Sequence, residues 1–392
     1  MQTSSEDWDA YFIKAIRDLN FQAAPGLGQF KNYPTIGQAL GWNGFSFENK
    51  INVTLLRNLV IRRIEGLKQG DCDPYPLKMF IKEEPLSHKK LQEGRARIIF
   101  SLALEDQVVD KILFGAWHRA EEHNASVIPN KVGWSPVPEG FWLVKRDFPL
   151  TDPEPLATDC SAFDWTFPAW TIPVILDLKL EQADEYDPLY EKAVRSRVSE
   201  IMGKNCTVRF PNGALYRQDF EGLMKSGWLL TISCNGWSQF LINALAWLRT
   251  HPDKLMPKMW TMGDDVILAW SDQYDQDLFE SNLNKTGIIV KRGSRSREFA
   301  GFRFIPNKDQ FYVDPLYVDK HIFQLRHYTL DELKKVVDMY ACIYSLASPE
   351  TRSWFDPVQR KYGNRTSIWY KAWAWGLPLS GFEALKTSDF EF

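Results

Sequence analysis

The sequence predicts an α+β protein, because helical patterns and short strand-like runs both occur along the chain and two of the runs form a predicted hairpin. Apolar residues recur at helical spacing in residues 51–67, 240–248 and 330–346. Short apolar runs predict strands at 98–100 and 206–210. Two further strand-like runs flank Gly263-Asp264-Asp265, which predicts a β-hairpin with these residues at its tip.

Composition sets the size and limits the arguments from charge. The chain has 392 residues, 44% of them hydrophobic, which is ample for a large core and exceeds the usual size of one compact domain. The net charge of −3 does not support nucleic-acid binding by bulk charge. Two local basic runs could still bind phosphate: Lys89, Lys90, Arg95 and Arg97, and then Lys291, Arg292, Arg295 and Arg297. A solvated surface is the commoner fate of such a run.

Cysteine spacing and the apolar pattern bear on the environment. The five cysteines are scattered without a CxxC pair, which argues against disulfides and against a zinc site. The N-terminal residues lack a basic segment followed by an apolar one, and no apolar run is long enough to span a bilayer. We therefore expect a reducing, cytoplasmic environment, with any membrane attachment made through a partner.

The first third of the chain contains a rigid loop, a helix and a basic segment. Pro25-Gly26 predicts a turn, and Leu55, Leu56, Leu59 and Ile64 predict the core face of a helix. A strand beginning at Lys78 and including Lys82 is ended by Pro85, and a basic loop follows at 89–97. A helix is predicted from Leu102 to Ala120, and residues 121–150 are predicted to be loops.

Two arginines in the basic loop are candidates for phosphate binding. If the segment is extended, the alternation in Arg95-Ala96-Arg97 points both guanidinium groups to one side. Arginine side chains match the geometry of phosphate oxygens. Surface charge and phosphate binding are equally compatible with this pattern.

Two aspartates follow a predicted buried strand. The strand ends at Asp159, and Asp164 comes before a helix predicted from Ala169 to Gln182. An acidic residue at the carboxyl end of a buried strand is a common site of chemistry. Helix capping is the alternative, and it suits Asp164 better than Asp159.

A Ser-Gly loop precedes the long helix of the central region. Residues 183–220 are polar, with a strand at 206–210. Ser226-Gly227 then leads toward the helix, and a glycine there allows close approach of a ligand. Thr231 and Asn235 are four residues apart and share one helix face, where capping is the alternative role.

The Gly-Asp-Asp tip predicts a cation site. Glycine allows a tight turn, so Asp264 and Asp265 lie side by side at an exposed position. Adjacent carboxylates repel unless a cation neutralises them, and oxygen ligands suit Mg²⁺ or Mn²⁺. An ordinary surface hairpin is the alternative for this tetrapeptide alone.

The remaining residues predict a mixed segment and a helical tail. A helix is predicted at 276–284, a strand at 288–291 and a hairpin pair at 298–305 with its turn just before it. The tail at 315–392 is predicted to be mostly helical. Its tryptophans, Trp354, Trp369, Trp373 and Trp375, favour core packing over stacking on a nucleotide.

The order and spacing of these pieces are more specific than any one of them. Asp159 and Asp164 precede Ser-Gly-x₃-Thr-x₃-Asn at 226–235, which precedes Gly-Asp-Asp, a lysine at 291 and the 298–305 hairpin. A basic loop lies upstream. With this arrangement over about residues 78–305, the chain resembles viral RNA-directed RNA polymerases, with palm motifs A to E in order and motif F before them.

Three stretches indicate a subgroup. Residues 80–85, 89–97 and 106–110 are most similar to the sobemovirus and polerovirus group and its invertebrate-virus relatives. Trp228-Leu229-Leu230 departs from that group, which has small polar residues there. Pro25-Gly26 corresponds loosely to the loop through which the family admits its template.

The resemblance implies a right-hand polymerase fold, with an antiparallel palm sheet backed by helices and with fingers closed onto a thumb. The implied division is fingers at 1–149 with an N-terminal fingertip segment, palm at 150–182, a fingers insertion at 183–219, palm at 220–312 and thumb at 313–392.

The resemblance also implies site roles. Asp159, Asp264 and Asp265 would hold two Mg²⁺ or Mn²⁺ ions for phosphoryl transfer. Lys82, Arg95 and Arg97 would bind the triphosphate. Asp164 and Asn235, with Ser226 and Thr231 nearby, would recognise the ribose 2′-hydroxyl. Lys291 would donate a proton to pyrophosphate, with a sheet-edge lysine as its alternative role.

The expected function is therefore an RNA-directed RNA polymerase that replicates a positive-strand RNA virus genome from rNTPs. A non-catalytic RNA-binding scaffold and a reverse transcriptase are the alternatives. The expected partners are single-stranded RNA template, nascent RNA, other viral replication proteins and a small protein primer, with a Trp-assisted start as the alternative to the primer. The expected location is the host cytoplasm, in membrane-associated replication complexes held by partners.

Overall fold

The structure is a computed structural model that describes residues 5–71, 74–86, 88–183, 185–307 and 310–379. Its helices are α1 (Ser5–Arg17), α2 (Ile36–Leu40), α3 (Lys50–Gln69), α4 (His88–Gln92), α5 (Leu104–His123), α6 (Phe141–Asp147), α7 (Thr171–Glu181), α8 (Pro188–Met202), α9 (Thr231–Thr250), α10 (Gln276–Asn284), α11 (Val318–His327), α12 (Leu330–Ile343), α13 (Pro349–Arg352), α14 (Asp356–Tyr362) and α15 (Ser367–Ala374). Its strands are β1 (Leu77–Ile81), β2 (Ile98–Ser101), β3 (Leu156–Thr158), β4 (Thr207–Arg209), β5 (Leu215–Arg217), β6 (Met259–Met262), β7 (Asp265–Leu268), β8 (Ser294–Arg295), β9 (Glu298–Phe299), β10 (Phe302–Asn307) and β11 (Gln310–Pro315).

The chain divides into two units, each made of separate stretches. Unit 1 comprises residues 1–124, 161–245 and 283–289. Unit 2 comprises residues 125–160, 246–282 and 290–392.

Unit 1 combines a four-stranded sheet with packed helices. The strand order is β2-β1-β4-β5, antiparallel except for the parallel pair β1 and β4. Helix α3 packs against α5 and α8, and its buried stripe is Leu56, Val60, Ile64 and Leu67. This 4-4-3 spacing is one face of an α-helix. Leu55, predicted to be in the core, is instead 39% exposed because it lies off that stripe.

A buried network of charges joins α3, α5 and α8. The Arg197 guanidinium donates to both carboxylate oxygens of Asp110, from Nε at 2.7 Å and from Nη2 at 3.1 Å. Its Nη1 donates to Glu200, which also accepts from Arg63, and Arg63 donates to Asp106. Three carboxylates therefore face two guanidinium groups. Removal of one guanidinium would leave buried charge without compensation.

Unit 2 contains two sheets. One has the order β6-β7-β3-β8, and all its pairs are antiparallel. The other has the order β11-β10-β9, also antiparallel. A single apolar cluster includes Trp260 and Ile267 from the first sheet and Phe299, Phe304 and Val313 from the second. Both sheets of unit 2 therefore contribute to one core.

The C-terminal helices have a core of their own within unit 2. Tyr340, Tyr344, Phe355 and Tyr370 are buried together in it. The predicted helical tail is thus confirmed as far as Ala374, and residues 380–392 lie outside the described residues. Trp354 and Trp369 pack against this core, and Trp373 and Trp375 pack against the other one. This placement agrees with the preference for core packing.

Three helices occur where the sequence led us to expect loops or irregular structure. Helix α4 lies inside the predicted basic loop, α6 lies inside the predicted loops at 121–150, and α8 occupies much of the polar region 183–220. Helix α8 has clear local start signals. Asp187 accepts from the backbone N–H of Leu189 and Tyr190, and Pro188 stands at the first helical position.

Two strand assignments were also wrong. Residues 288–291 form an isolated bridge, Val290 with Cys160, instead of the predicted strand. The edge of β3 next to them is occupied by β8, which pairs with Leu156 and Ala157. The turn of the 298–305 hairpin lies inside that segment, at Ala300-Gly301. Both residues have positive φ, 50° and 82°, as a type I′ turn requires.

We expect Arg197→Met to lower the free energy of unfolding by about 3–5 kcal/mol, because it strands the carboxylates of Asp110 and Glu200 in the interior. Arg195→Met is the matched control on the same helix. Arg195 pairs with Glu191 and Asp177 at a partly exposed position, so its loss is expected to be a small fraction of that value. Urea unfolding measures both, and equal losses would contradict the importance of the buried network.

Candidate active site

The predicted hairpin at Gly-Asp-Asp is confirmed, and its geometry is simple. Met262 pairs with Asp265, so Gly263 and Asp264 form a two-residue loop between β6 and β7. Of these two loop residues only Gly263 has a positive φ, at 61°, which is the pattern of a type II′ turn. The turn places two consecutive carboxyl groups at the tip.

Strand pairing brings the third aspartate to the same tip. Strand β3 pairs with β7 in a register that sets Thr158 opposite Val266. One residue farther, the antiparallel register brings Asp159 opposite Asp265. The Asp159 side chain is half-exposed there, at 51%. Asp159 and Asp265, which are 265 − 159 = 106 positions apart in the chain, therefore meet at one end of one sheet.

The charges at this tip interact. Burial, together with the nearby charges of Asp264 and Asp159, raises the pKa of Asp265 to about 6. A hydrogen bond from the backbone of Ala300 opposes this shift. The site therefore carries more negative charge than its surroundings easily accommodate.

Lys291 supplies a positive charge beside Asp159. Its ammonium group forms an ion pair with the Asp159 carboxylate, and its backbone N–H donates to the Asp159 carbonyl oxygen at 2.9 Å. The bridge between Cys160 and Val290 holds the two segments together. The structure thus brings Lys291 to the predicted acidic site, although not on a regular strand.

The donor chemistry fits a hard divalent cation, but the side chains do not form a cage. Three carboxylates and one ammonium leave net negative charge, and carboxylate oxygens are the ligands that Mg²⁺ and Mn²⁺ prefer. Among the described residues, no group of three or more His, Cys, Asp or Glu side chains is arranged to hold a metal ion. In this arrangement the Asp159 carboxylate is directed to Lys291.

Unit 1 brings together the pair predicted to recognise a sugar. Asn235 Nδ2 donates to Asp164 Oδ1 at 2.9 Å. Asn235 is 6% exposed, and its Oδ1 is buried without a hydrogen-bond partner among the described residues. The backbone carbonyl of Asp164 accepts from Met224 N–H at 2.8 Å. The pair is therefore preorganised within this unit.

The Ser-Gly loop is held tightly against β2. The carbonyl oxygen of Ser226 accepts from Phe100 N–H at 2.8 Å. Gly227 has φ of 112°, and a Cβ there would come 2.6 Å from the Phe100 carbonyl oxygen. Thr231, the first residue of α9, donates through Oγ1 to the Lys225 carbonyl at 2.9 Å. The loop therefore requires glycine and leaves little freedom to Ser226.

The basic residues of the 82–97 region are arranged around acidic ones. Lys82 and Arg97 both lie near Glu84, at 3.5 Å and 3.8 Å, and Lys82 N–H donates to the Arg97 carbonyl. Arg95 pairs with Glu93 instead. Residues 93–97 form a turn and irregular backbone rather than a strand, so the alternation argument for Arg95 and Arg97 does not hold.

The second basic run is neutralised by neighbouring acids. Arg292 pairs with Asp277 and Glu280, and Arg295 pairs with Asp272. Arg297 is buried beside Glu154 and donates to backbone carbonyls. Together with the Lys291 pair, these contacts make the run part of the framework of unit 2 rather than an open phosphate-binding patch.

Sequence reasoning missed two buried residues of the Ser-Gly loop. Lys225 is fully buried, donates to the Gln218 side chain and the Leu223 carbonyl, and has its pKa lowered to about 8 by burial. Trp228 donates from its indole to Asp110 at 3.1 Å. The available signal was the departure at Trp228-Leu229-Leu230, which replaced small polar residues with large apolar ones.

The sheet that gathers three aspartates, together with the preceding Ser-Gly loop and basic segment, defines a right-hand polymerase of the viral type. The chain belongs to the viral RNA-dependent RNA polymerase family, whose model matches residues 43–364. The fold is also that of the Sicinivirus 3Dpol RNA dependent RNA polymerase, with a TM-score of 0.63 and 15% identity over 88% of this chain and 73% of that chain.

Similar sequences confirm the expected subgroup. The chain is 32% identical to the replicase polyprotein P2AB of Cocksfoot mottle virus, over 53% of this chain and 21% of the polyprotein. It is 26% identical to protein P1-P2 of Potato leafroll virus, over 67% of this chain and 24% of that protein. The matched region thus spans about a fifth to a quarter of the length of these relatives.

The length and the apolar character of the helices bear on whether one of them could cross a membrane. In the parts of the chain that the structure describes, none is both long enough and apolar enough to cross a bilayer.

We expect Gly227→Ala to destabilise the protein more than Gly263→Ala. Both glycines have positive φ, so each alanine adds backbone strain of about 1 kcal/mol. Only at position 227 does the new Cβ also collide with a backbone atom, whereas nothing lies within 4 Å at position 263. Urea midpoints of the two variants measure the difference, and equal shifts would show that the contact with Phe100 is not tight.

Proposed function

We propose that this chain is an RNA-directed RNA polymerase that copies the genome of a positive-strand RNA virus by two-metal-ion nucleotidyl transfer. One observation carries the proposal. In a chain of this family, the register of β3 against β7 brings Asp159 beside the Asp264-Asp265 tip, where burial and the charges of Asp264 and Asp159 raise the pKa of Asp265.

In the proposed reaction, the 3′-oxygen of the growing RNA bonds to the α-phosphorus of an rNTP while the bond from that phosphorus to the bridging oxygen breaks. Asp159, Asp264 and Asp265 would hold two Mg²⁺ or Mn²⁺ ions. When bound, such ions lower the pKa of the 3′-hydroxyl and neutralise the leaving pyrophosphate. Lys291 would give a proton to that pyrophosphate, and it is already next to an acid of the site.

The residues of unit 1 would bind the nucleotide. Lys82, Arg95 and Arg97 would bind the triphosphate through charge, and this role would require Arg97 to exchange its contact with Glu84 for phosphate oxygens. The hydrogen-bonded pair Asp164 and Asn235 would recognise the 2′-hydroxyl.

Ser226 and Thr231 would support that pair from the Ser-Gly loop. A site that hydrogen-bonds a hydroxyl rejects the analogue lacking it, so this arrangement favours ribonucleotides over deoxyribonucleotides. It therefore argues against the reverse transcriptase alternative.

The division into fingers, palm and thumb remains a proposal. Strands β3, β6, β7 and β8 all lie inside the proposed palm stretches 150–182 and 220–312, and the helices from α11 onward lie inside the proposed thumb at 313–392. The proposed partners are template RNA, nascent RNA, other viral replication proteins and a small protein primer. We propose location in membrane-associated complexes held by such partners.

We expect Asp264→Asn to lower nucleotide incorporation by about 10³-fold or more, because a metal ligand worth several kcal/mol in the transition state is lost. The assay is rNTP incorporation on short RNA templates, with and without primer, in Mg²⁺ and in Mn²⁺.

The control for this variant is Asp272→Asn, an exposed carboxylate of unit 2 that pairs with Arg295. It should incorporate at the wild-type rate. Retained incorporation by a folded Asp264→Asn variant would refute the catalytic assignment. A wild-type chain that binds RNA without metal-dependent turnover would favour the non-catalytic scaffold.

We expect Lys291→Met to tighten Mn²⁺ binding by about two- to fivefold in the absence of nucleotide, since an ammonium competing for Asp159 at a half-exposed site is removed. Titration followed by Mn²⁺ electron paramagnetic resonance measures this directly. Arg292→Met, which removes a neighbouring cation paired with Asp277 and Glu280, should leave the affinity unchanged. Unchanged or weaker binding in Lys291→Met would exclude competition between the ammonium and the metal ion.

A further inference from the structure

The indole of Trp228 is anchored to a buried carboxylate. Trp228 is 3% exposed, and its Nε1–H donates to Asp110 Oδ2 at 3.1 Å. The ring also meets Phe114 edge-on, with centroids 6.0 Å apart. Both contacts are made to residues of α5. The position of Trp228 is therefore set by a hydrogen bond to a charged group as well as by packing.

The carboxylate that holds this indole is itself immobilised. Arg197 binds Asp110 through two nitrogens and binds Glu200 through a third. Arg197 lies fully buried on α8, and all three of its guanidinium nitrogens donate hydrogen bonds. The planar group therefore fixes the orientation of the Asp110 carboxylate. Burial also raises the pKa of Asp110 to about 6, and the donors around it favour the ionised form.

The backbone of Trp228 closes the loop that carries Ser226. Its N–H donates to the Lys225 carbonyl at 2.9 Å, and its carbonyl accepts from Thr231 N–H at 3.1 Å. Ser226 and Gly227 thus span between the buried Lys225 and the buried Trp228. A shift of the indole would be transmitted to Ser226 on one side and to the start of α9, with Thr231, on the other.

We propose that Trp228 is a positioning residue for ribose selection, which acts by tying the loop of Ser226 and Thr231 to the Asp110–Arg197 pair. This inference rests on the proposed polymerase function, because it assigns the loop to the sugar of the incoming nucleotide. The indole donates its hydrogen bond to Asp110, whereas the proposed sugar-recognition pair is Asn235 with Asp164. Its effect passes through the backbone of residues 225–231.

Packing and hydrogen bonding explain why a tryptophan stands at position 228, where the sobemovirus and polerovirus group has a small polar residue. A small side chain would leave a cavity beside Phe114 and remove a donor from a buried carboxylate, and both changes are unfavourable in a packed interior. Tryptophan supplies the volume and the N–H together. The departure from the family pattern is thus matched to a network that the rest of unit 1 provides.

The test is Trp228→Phe, which keeps most of the packing and removes the N–H donor. We expect the ratio of kcat/KM for an rNTP to that for the matching dNTP to fall by about three- to tenfold, because the loop that carries Ser226 and Thr231 loses one of the hydrogen bonds that hold it in place. The kcat/KM for the dNTP should change little, because the acidic site is untouched, while the melting temperature should fall modestly because a buried carboxylate loses one donor.

Two variants calibrate this result. Trp117→Phe changes another tryptophan that packs on Phe114, with ring centroids 5.5 Å apart, but it leaves the Trp228 hydrogen bond to Asp110 in place and should leave the ratio at its wild-type value. Asn235→Ala removes a proposed direct contact and should lower the ratio at least as far as Trp228→Phe. If Trp228→Phe fails to fold, Arg197→Lys replaces it, since lysine keeps the charge but cannot hold Asp110 through two nitrogens.

The outcomes separate this inference from the proposed function. No incorporation by the wild-type chain would remove the polymerase assignment itself. An active wild type with an unchanged ratio in Trp228→Phe, or in its replacement Arg197→Lys, would overturn the positioning role alone. Equal losses of kcat/KM for rNTP and dNTP would also overturn it, because general destabilisation lowers both and discrimination lowers only one.

Discussion

The pairing of β3 between β7 and β8 is the constraint on which the acidic site depends. Asp159 lies one residue beyond the last paired residue of β3, and Asp265 opens β7. A slip of one residue in this register would turn alternate side chains to the opposite face of the sheet. The buried partners of the strands, such as Leu156 and Leu268, make such a slip unfavourable because they would leave the core. Hydrophobic packing therefore holds three mutually repelling carboxylates at one tip.

Repulsion at that tip is balanced in part by Lys291. The Lys291 ammonium pairs with the half-exposed Asp159 carboxylate. Asp265 is more buried, and its pKa is raised. An exposed ion pair of this kind is weak and exchangeable. The proposed function would therefore have the same lysine compensate charge in one state and donate a proton in another.

In unit 1 the charged groups with close ion pairs around Arg197 are buried, in contrast to the half-exposed pair of Lys291 and Asp159. Arg63, Arg197 and their carboxylate partners are largely buried and joined by several ion pairs, so they form a framework rather than an exchangeable site. The Ser-Gly loop is attached to this framework through Trp228 and to β2 through the backbone of Phe100. Lys82 and Arg97, by contrast, make only long contacts to Glu84 and remain about half-exposed. Within this unit, the pair proposed for sugar recognition is fixed by a hydrogen bond, while the cations proposed for phosphate make longer contacts at exposed positions.

The sequence alone determined the elements whose signal is local: the Gly-Asp-Asp hairpin, the strand before Asp159, the helix at 276–284 and the family resemblance carried by ordered motifs. Helices α4, α6 and α8 were missed, since short or polar helices depend on neighbours that a periodicity argument does not see. Only the tertiary structure showed that Asp159 meets Lys291 and that Trp228 meets Asp110, and it gave the pair Asn235 and Asp164, implied by the resemblance, its hydrogen bond. These partners are 71 to 132 residues apart in the chain. Strand register and helix packing bring them together, and no local pattern encodes the distance between two such side chains.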